Sequence, residues 1–582
     1  MFAEDVDLLP AGTMSRIVQD CFAGGSSYDL MGGLFRQMNE ISPAKAGRFK
    51  GVPYFNGGLF AVVDPIELGV KQLTAIGEAA ETDWSKINPA VFGTLFQASM
   101  DAERRHALGA HFTAERDIMK VITPTISRPW EARIAAGRTL PELIKLREEM
   151  LAFRVLDPAC GSGNFLYLAY RELVRLEILL LQRMRSVTTP AVFKKRVETL
   201  SLISPRQFFG LDIDPFAVEL AKITLVFGKQ LALDEVHETL DRDQIDLDLQ
   251  GDHALPLENL DANLRCEDAL FADWPAADAI IGNPPYQSKN KMQQEFGRAY
   301  VNRVRKRYPD VPGRADFCVY WFRRAHDELK PMARAGLVGT NTIRQNYSRE
   351  GGLDHIVRNG GTITDAVSTQ VWSGDAAVHV SIVNWVKGEV KGSKRLVRQV
   401  GDALDSPWEA ITVPSINSAL SFETDVTDVE VLRTNADSKR CYQGQTHGHA
   451  GFLMPREEAE AHLAKHASDR AVLFPFLIAD EMIGRSDSLP TRYVIDFGTR
   501  DLLESQKHRA LFQRVESTVL PSKLSRAADE KARNDSAESA DSGAKGGKHH
   551  AHSLKSWWLL FWSRQELMGA LAPLSATSLA DR

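Results

Sequence analysis

The amino-acid sequence predicts an α/β protein with a doubly wound sheet, preceded by a helical region and followed by a mixed α/β region. Short apolar segments at residues 153–156, 208–211, 279–281 and 336–339 alternate with segments of helical character. Such alternation is typical of a largely parallel sheet with helices on both faces. A glycine-rich turn directly after the first of these segments fits the same fold.

Composition and charge indicate an ordinary soluble protein. The chain has 582 residues, of which 44% are hydrophobic and 25% charged, and its formal net charge is -6. This length exceeds what one hydrophobic core usually supports, so we expect several domains. Because the net charge does not attract a polyanion, any surface for nucleic acid must come from locally clustered Lys and Arg.

The five cysteines are widely scattered, which predicts neither a disulfide framework nor a zinc site and favours a reducing cytoplasm. No apolar run is long enough to span a bilayer, so we expect no membrane partner. The most apolar stretch, residues 557–562, is predicted to be core or interface. His549, His550 and His552 could chelate a metal, but in so polar a segment we expect solvated side chains and no metal site.

Four segments are predicted along the chain. Residues 1–105 form a helical spacer region, and the strand and helix alternation covers residues 106–390. From residue 391 to 523 the alternation gives way to mixed segments with many turn residues, which predicts a separate domain. Residues 524–582 begin with a stretch rich in Ala, Ser, Asp, Lys, Gly and His, so we expect a flexible linker and a C-terminal segment.

The glycine-rich turn links the first predicted strand to a helix. Its glycines let the backbone approach a ligand closely, and Asp157 would repel a pyrophosphate but attract a cationic sulfonium or ammonium group. S-adenosyl-L-methionine satisfies this electrostatic requirement. The residues predicted to bind this cofactor are Asp157, Ala159, Gly161, Gly163, Asn164 and Phe165.

Further acids follow the next strands. Asp212 ends the second predicted strand, where a carboxylate can hold both ribose hydroxyls. Asp268 could accept a hydrogen bond from the cofactor's adenine amino group, with a plain turn residue as the alternative. Asp214 precedes a proline and is predicted to cap a helix. Because Asp157 and Asp212 are unusually far apart in the chain, residues 175–206 are predicted to form an inserted helical segment.

The third predicted strand ends in Asn283-Pro284-Pro285-Tyr286, which we predict to be a catalytic loop. An aromatic amine is a poor nucleophile, because its lone pair is delocalised into the ring. The side-chain oxygen of Asn283 and the carbonyl of Pro284 can accept hydrogen bonds from its two N–H groups and aim its lone pair at a methyl group. Pro284 and Pro285 fix the backbone, and Tyr286 offers a flat face on which a flipped base can stack.

A basic segment follows the catalytic loop, and its position favours contact with DNA phosphates over a merely solvated helix face. Trp372 could stack on the flipped base from the other side, but we expect it to pack in the core. The residues of the basic segment predicted to bind DNA are Lys289, Lys291, Arg303, Arg305, Lys306 and Arg307.

Together, the cofactor turn and the catalytic loop resemble those of the amino-group DNA methyltransferases. Residues 1–5, 88–93 and 106–120 resemble, more closely, the MmeI-like methylases of restriction-modification systems. This resemblance implies methylation of adenine N6 in double-stranded DNA, and a place beside the methionine end of the cofactor for His111, Phe112 and Thr113. Residues 442–444 and 493–497 resemble parts of the family's target-recognition domain.

The sequence departs from the full-length family pattern and leaves alternatives open. We see no PD...ExK-like acids and lysine of a nuclease before the helical region, and the C-terminus is shorter than the family's usual end. We therefore expect no restriction activity in this chain and consider a separate nuclease or another defence-system subunit as a partner. The alternatives are methylation of cytosine N4, a protein glutamine N5-methyltransferase, and a non-catalytic DNA-recognition remnant.

Overall fold

The chain forms two compact units, residues 1–429 and 430–582. No helix among the residues described below is long and apolar enough to cross a membrane. The computed structural model describes residues 1–6, 9–40, 42, 44–54, 58–85, 87–89, 91, 93, 113–189, 192–193, 203–242, 260–372, 378–423, 442–484, 487, 489–540 and 549–578.

The first unit opens with helices, as predicted. They include α1 (Phe2–Asp5), α2 (Thr13–Phe22), α3 (Ser27–Met38) and α4 (Val70–Ala80). Apolar side chains such as Leu34 and Leu73 are buried together between them. The ring of Phe2 lies 4.4 Å from that of Phe227, which belongs to a helix of the α/β part, so the helical region packs against that part.

A nine-stranded sheet forms the centre of the first unit. Its strands are β1 (Val155–Asp157), β2 (Phe208–Asp212), β3 (Leu264–Cys266), β4 (Ala279–Gly282), β5 (Arg334–Thr340), β6 (Gly361–Val371), β7 (His379–Lys387), β8 (Lys394–Gln399) and β9 (Trp408–Val413). Their order across the sheet is β3-β2-β1-β4-β5-β7-β6-β8-β9. From β3 to β5 across the sheet, each strand is parallel to the next, and β7 is antiparallel to both β5 and β6. The predicted doubly wound sheet is confirmed, and β1, β2, β4 and β5 are its four predicted strands.

Helices cover both faces of this sheet. Successive residues of a strand point to opposite faces, so Val155 belongs to the core that contains Leu173, whereas Leu156 belongs to the core that contains Phe322. The helices of this part are α5 (Glu115–Ile122), α6 (Arg128–Ala136), α7 (Leu140–Ala152), α8 (Asn164–Ser186), α9 (Pro215–Arg242), α10 (Lys289–Glu295), α11 (Gly297–Arg307), α12 (Val319–Glu328), α13 (Asn346–Arg349) and α14 (His355–Arg358), with π-helical turns at Thr123–Ser127 and Glu350–Asp354 and 3-10 turns at Pro205–Gln207 and Asn341–Arg344.

The sheet continues past residue 390, where the sequence predicts the α/β domain to end. β8 pairs with β6 in parallel, and β9 pairs with β8 antiparallel, so the same sheet runs on to Val413. β9 is the edge strand and is largely exposed, whereas β8 beside it is rich in Lys, Arg and Gln, some of which are buried. They therefore lack the continuous apolar run that made the central strands visible in the sequence.

The second unit combines a small antiparallel sheet with helices. Its strands are β10 (Leu453–Pro455), β11 (Leu473–Phe476) and β12 (Arg492–Ile495), in the order β10-β12-β11. The helices are α15 (Arg456–Lys465), α16 (Ala479–Gly484), α17 (Leu502–Gln506), α18 (Arg509–Ala540), α19 (His549–Leu554) and α20 (Gln565–Ser578), with 3-10 turns at Ala450–Phe452 and Ala467–Ala471. Phe452, Val494 and Phe512 form the core, and Trp557 and Trp558 pack against it, as predicted for this stretch. Phe561 and Trp562, at the end of the same stretch, are exposed.

The predicted linker from residue 524 is corrected by the long helix α18. Residues 524–540 continue this helix, and residues 549–554 form α19. Among the side chains of α18 that the structure describes, the buried apolar ones, such as Phe512 and Val519, lie in its first half. Its second half is polar but rich in Ala, Glu, Lys and Arg, which favour a helix even where nothing apolar is buried. Low apolar content alone was therefore a poor sign of a linker.

Candidate functional site

The glycine-rich turn lies between β1 and α8, as predicted. Gly161 and Gly163 have φ angles of 50° and 85°, a left-handed conformation that favours glycine. A Cβ atom on Gly163 would lie 2.9 Å from Cα of Ala221, so α9 packs directly on this glycine. A Cβ atom on Gly161 would meet no atom within 4 Å, so its backbone faces open space that a ligand can enter.

Asp157 lies at the bottom of this turn and is fully buried. Its Oδ1 accepts a hydrogen bond of 2.9 Å from the backbone N–H of Ala159. Its Oδ2 is buried and has no hydrogen-bond partner among the residues that the structure describes. Burial, reinforced by the nearby charge of Asp212, raises the pKa of Asp157 to about 8. A buried carboxylate oxygen without a donor is what a cationic ligand would satisfy.

Asp212 ends β2 and fastens the glycine-rich turn to that strand. Its two carboxylate oxygens accept hydrogen bonds of 2.9 Å each from the backbone N–H groups of Gly161 and Asp214. Burial raises its pKa, and the neighbouring Asp214 adds to that effect. Asp214 accepts hydrogen bonds from the N–H groups of Phe216 and Ala217, which confirms the predicted helix cap.

The inserted helical segment predicted for residues 175–206 begins within α8, which extends to Ser186. Glu177 of this helix is buried and pairs with Arg147 of α7 at 2.6 Å. Residues 194–202 lie outside the described part of the chain.

Asp268 follows β3 and is approached by α11. Arg303 lies 3.7 Å from its Oδ2, and the Arg303 guanidinium sits 3.9 Å from the centre of the Phe271 ring. Tyr300 is hydrogen-bonded to Asp268, and burial together with the Asp268 charge raises the pKa of its phenol. Arg303, predicted from the sequence to bind DNA, therefore lies beside the carboxylate predicted to bind the cofactor's adenine.

The predicted catalytic loop begins where β4 ends. Both polar atoms of the Asn283 side-chain amide are hydrogen-bonded. Asn283 Nδ2 donates to Thr113 Oγ1 at 3.1 Å, and the Tyr286 hydroxyl donates to Asn283 Oδ1. Thr113, for which the family resemblance implies a place at the cofactor, is buried, and its hydroxyl contacts the Asn283 amide. Burial raises the pKa of Tyr286 well above its usual value, so its hydroxyl stays protonated as a donor.

The glycine before Asn283 brings this loop against the cofactor turn. A Cβ atom on Gly282 would lie 2.5 Å from Asp157 Oδ1, so only glycine fits there. β1 and β4 are parallel neighbours, and both loops therefore leave the sheet at the same edge. Trp372 is buried, as expected for core packing, and its ring meets Tyr286 edge-on at 6.3 Å.

Asp316 is a residue of this site that the sequence did not reveal. Its Oδ1 accepts the backbone N–H of Gln287, the residue after Tyr286, at 3.2 Å. Its Oδ2 accepts the Thr340 hydroxyl, at the end of β5, at 2.8 Å. Burial raises the pKa of Asp316. The sequence offers one sign of a buried acid here, which is that Asp316 stands between the apolar residues Ala315 and Phe317. No motif links Asp316 to Gln287.

The remaining predicted residues are distributed over the same region. Ala159, Asn164 and Phe165 lie in the glycine-rich turn and at the start of α8. Lys291, Lys306 and Arg307 are exposed on α10 and α11, whereas Arg305 donates to the carbonyl of Gly313 at 3.0 Å. Outside the described part of the chain lie His111, Phe112 and the side chain of Lys289.

Family models match two parts of the chain. The model of the MmeI DNA-methyltransferase domain matches residues 133–398. The model of the MmeI helicase spacer domain matches residues 1–60. Together they cover more than half of the chain. The first match contains strands β1 to β7, and the second contains helices α1 to α3.

Two known proteins illustrate this similarity. DNA methyltransferase A of Bacillus subtilis (strain 168) is 27% identical over 414 residues, which are 66% of this chain and 44% of that protein, so the chain spans less than half of this relative's length. The structure of the Type IIL restriction-modification enzyme MmeI in complex with DNA is 22% identical, with a TM-score of 0.71 over 96% of this chain and 72% of that one. The two chains share a fold.

Proposed function

Because the chain belongs to the MmeI family of DNA methyltransferases, we propose that it transfers a methyl group from S-adenosyl-L-methionine to N6 of a flipped-out adenine in double-stranded DNA. One observation carries this proposal. Asp157 ends β1 and Asn283 follows β4, and these parallel neighbours bring both residues to one edge of the sheet. Among the described residues, one carboxylate oxygen of Asp157 has no partner, and the Asn283 amide is held by a hydrogen bond. A cation-binding turn beside two hydrogen-bond acceptors is the arrangement that methylation of an amino group requires.

The described residues of the turn fit S-adenosyl-L-methionine. Gly161 and its neighbours leave open space at the backbone, and Asp157 offers its oxygen to the ammonium group. Each oxygen of Asp212 already accepts one backbone N–H and retains a second lone pair for a ribose hydroxyl. Asp268 would accept from the adenine amino group, with Phe271 beside it. When bound, the cofactor supplies a methyl group on a positively charged sulfur.

The catalytic loop would bind and orient the target amine. Asn283 Oδ1 and the Pro284 carbonyl accept its two N–H groups, which localises the lone pair on the nitrogen. Asn283 Oδ1 accepts the Tyr286 hydroxyl in this structure, so the entering amine takes over or shares this acceptor. The loop then needs no base before attack, and the proton leaves the alkylated nitrogen afterwards. Asp316 and Thr113 hold the loop for this task.

Double-stranded DNA would be held at several places. Exposed cations of α10 and α11 follow the catalytic loop and would contact phosphates. The second unit would supply target recognition, and the chain would act in the cytoplasm as the modification component of a restriction-modification or phage-defence system. A nuclease on a separate subunit would be its partner there.

The test is methyl transfer to DNA of known modification state. The full chain is incubated with tritiated S-adenosyl-L-methionine and unmodified genomic DNA, which is then digested to nucleosides and separated by chromatography. We expect label in N6-methyldeoxyadenosine, and none when the DNA has first been exhaustively methylated by the same chain with unlabelled cofactor. Label in N4-methyldeoxycytidine would move the target to cytosine. Label only in added protein would replace DNA by a glutamine amide as the substrate.

A further inference from the structure

The second unit contains a cavity that is rich in basic side chains. Lys523 and Arg526 of α18 line it together with His449, and His549 and His550 of α19 complete the basic set. Lys523 and Arg526 are three residues apart on one helix, so their side chains share a face. Among the residues that the structure describes, no acidic side chain lines this cavity.

The two long cations of this cavity lack counterions. Within the described part of the chain, neither Lys523 nor Arg526 has an ion pair or hydrogen bond. Burial and the neighbouring Arg526 charge lower the pKa of Lys523, because both disfavour its charged form. Glu530 lies one turn further along α18, but its carboxylate accepts the backbone N–H groups of His549 and Ala551 at 2.8 Å each. Its charge therefore ties α19 to α18.

The lining presents hydrogen-bond donors. His449 Nδ1 accepts the backbone N–H of Gly451 at 3.0 Å, so the proton of the neutral ring lies on Nε2 and makes that atom a donor. The ammonium of Lys523, the guanidinium of Arg526 and the hydroxyl of Ser553 add further donors. A small site with positive charge and several N–H and O–H donors fits a phosphate group. It fits neither an apolar ligand nor a cation.

We propose that this cavity is a phosphate-binding site, with Lys523 and Arg526 as its charged anchors and His449 as a neutral donor. The phosphate comes from the DNA backbone or from free phosphate in solution, and the shared chemistry is a tetrahedral anion. The DNA source rests on the proposed function and deepens it, because a backbone contact in the second unit would fix the register of the duplex without reading its sequence.

The test measures how DNA affinity depends on salt. A fluorescently labelled duplex is titrated with the full chain at several salt concentrations, and log K is plotted against log salt. The variant Lys523→Gln/Arg526→Gln is compared with Lys531→Gln, a control on the same helix whose exposed side chain does not line the cavity. Each lost phosphate contact makes the slope shallower by about 0.9. Inorganic phosphate is titrated separately into all three proteins and followed by phosphorus NMR, and their melting temperatures establish folding.

A shallower slope in the double variant alone assigns the site to the DNA backbone. If the three proteins have equal slopes and the wild-type chain binds inorganic phosphate but the double variant does not, the site belongs to free phosphate. Equal slopes without phosphate binding to the wild-type chain overturn the site. Methyl transfer is assayed apart from binding, so a chain that binds DNA with these slopes but methylates nothing contradicts the proposed function and leaves the site intact. If the wild-type chain does not bind the duplex, the phosphate titration alone decides.

Discussion

Thr113 and Asn283, 170 residues apart in the chain, are joined by a hydrogen bond of 3.1 Å from Asn283 Nδ2 to Thr113 Oγ1. Both ends of the Asn283 amide therefore have a hydroxyl partner, Thr113 on one side and Tyr286 on the other. The nitrogen is turned toward the buried threonine, and the oxygen is turned toward Tyr286, where an amine would be bound. The orientation of the catalytic acceptor therefore depends on a residue outside the catalytic loop.

We expect Thr113→Val to lower kcat about tenfold, since the loss of one oriented hydrogen bond costs about 1.4 kcal/mol in the transition state. Thr113→Ser keeps the hydroxyl and should stay close to the wild type. Steady-state kinetics with DNA and direct cofactor titration separate the two roles of this residue. A weaker cofactor affinity at unchanged kcat would place Thr113 at the cofactor, as the family resemblance implied, and would contradict the role inferred from the structure.

Asn283→Ala should reduce methyl transfer by a factor of about 100 to 1,000, because it removes a preorganised acceptor for the amine. Cofactor affinity should change little, since Asn283 is not among the residues that fit the cofactor. Tritium transfer and calorimetric cofactor titration are the two measurements. Asn302→Ala, an exposed asparagine on α11, is the matched control. Normal turnover in the Asn283 variant would refute the assignment.

Asp316→Ala should lower kcat about tenfold and leave the cofactor Kd unchanged, because the end of the catalytic loop loses its anchor at Gln287. Asp316→Asn should recover much of the rate, since its amide oxygen can still accept that N–H. Rescue by asparagine distinguishes positioning from a need for charge. If alanine and asparagine are equally active while both melt like the wild type, Asp316 has no part in holding the loop.

Cofactor affinity should rise with pH below about 8. Burial raises the pKa of Asp157 to about 8, so at lower pH the empty site holds a proton that a cationic ligand must displace. The Kd should therefore fall by up to about tenfold from pH 6 to pH 7, as measured by calorimetry. Asp157→Asn should bind weakly and lose this pH dependence. An equally steep dependence in the asparagine variant would point to another group.

The buried side chains of Arg147 and Glu177 should be strongly coupled in their effect on stability. Arg147→Met leaves the Glu177 carboxylate buried without its cation, and we expect a loss of about 3–5 kcal/mol in the free energy of unfolding. Arg147→Met/Glu177→Leu removes both charges and should recover most of that loss. Urea denaturation of the three proteins measures it. A double variant that is no more stable than the single one would contradict this account.

Local patterns in the sequence were sufficient for the centre of the fold and for the two loops of the site. Buried parallel strands are continuous apolar runs, and the turns that follow them carried Asp157 and Asn283 in recognisable contexts. Exposed edge strands and the polar half of α18 gave no such signal, because neither buries enough apolar surface to impose a period.

Contacts between distant segments were beyond reach for a different reason. Thr113 meets Asn283, Asp316 meets Gln287, and Arg303 meets Asp268 only because separate elements converge at one edge of the sheet. The residue type and spacing of each partner are unremarkable on their own. Arg303 was assigned to DNA from the charge of its neighbours, whereas its position on α11 puts it beside Phe271.

The close approach of Gly282 to the Asp157 carboxylate also constrains how such chains can diversify. Even the Cβ atom of an alanine at this position would collide with the Asp157 carboxylate, so the two loops constrain each other sterically. When the catalytic loop is exchanged between relatives, the glycine-rich turn should therefore be exchanged with it. Libraries of variants aimed at new target bases should keep glycine at position 282. The second unit contains neither loop, so substitutions there leave this contact unchanged.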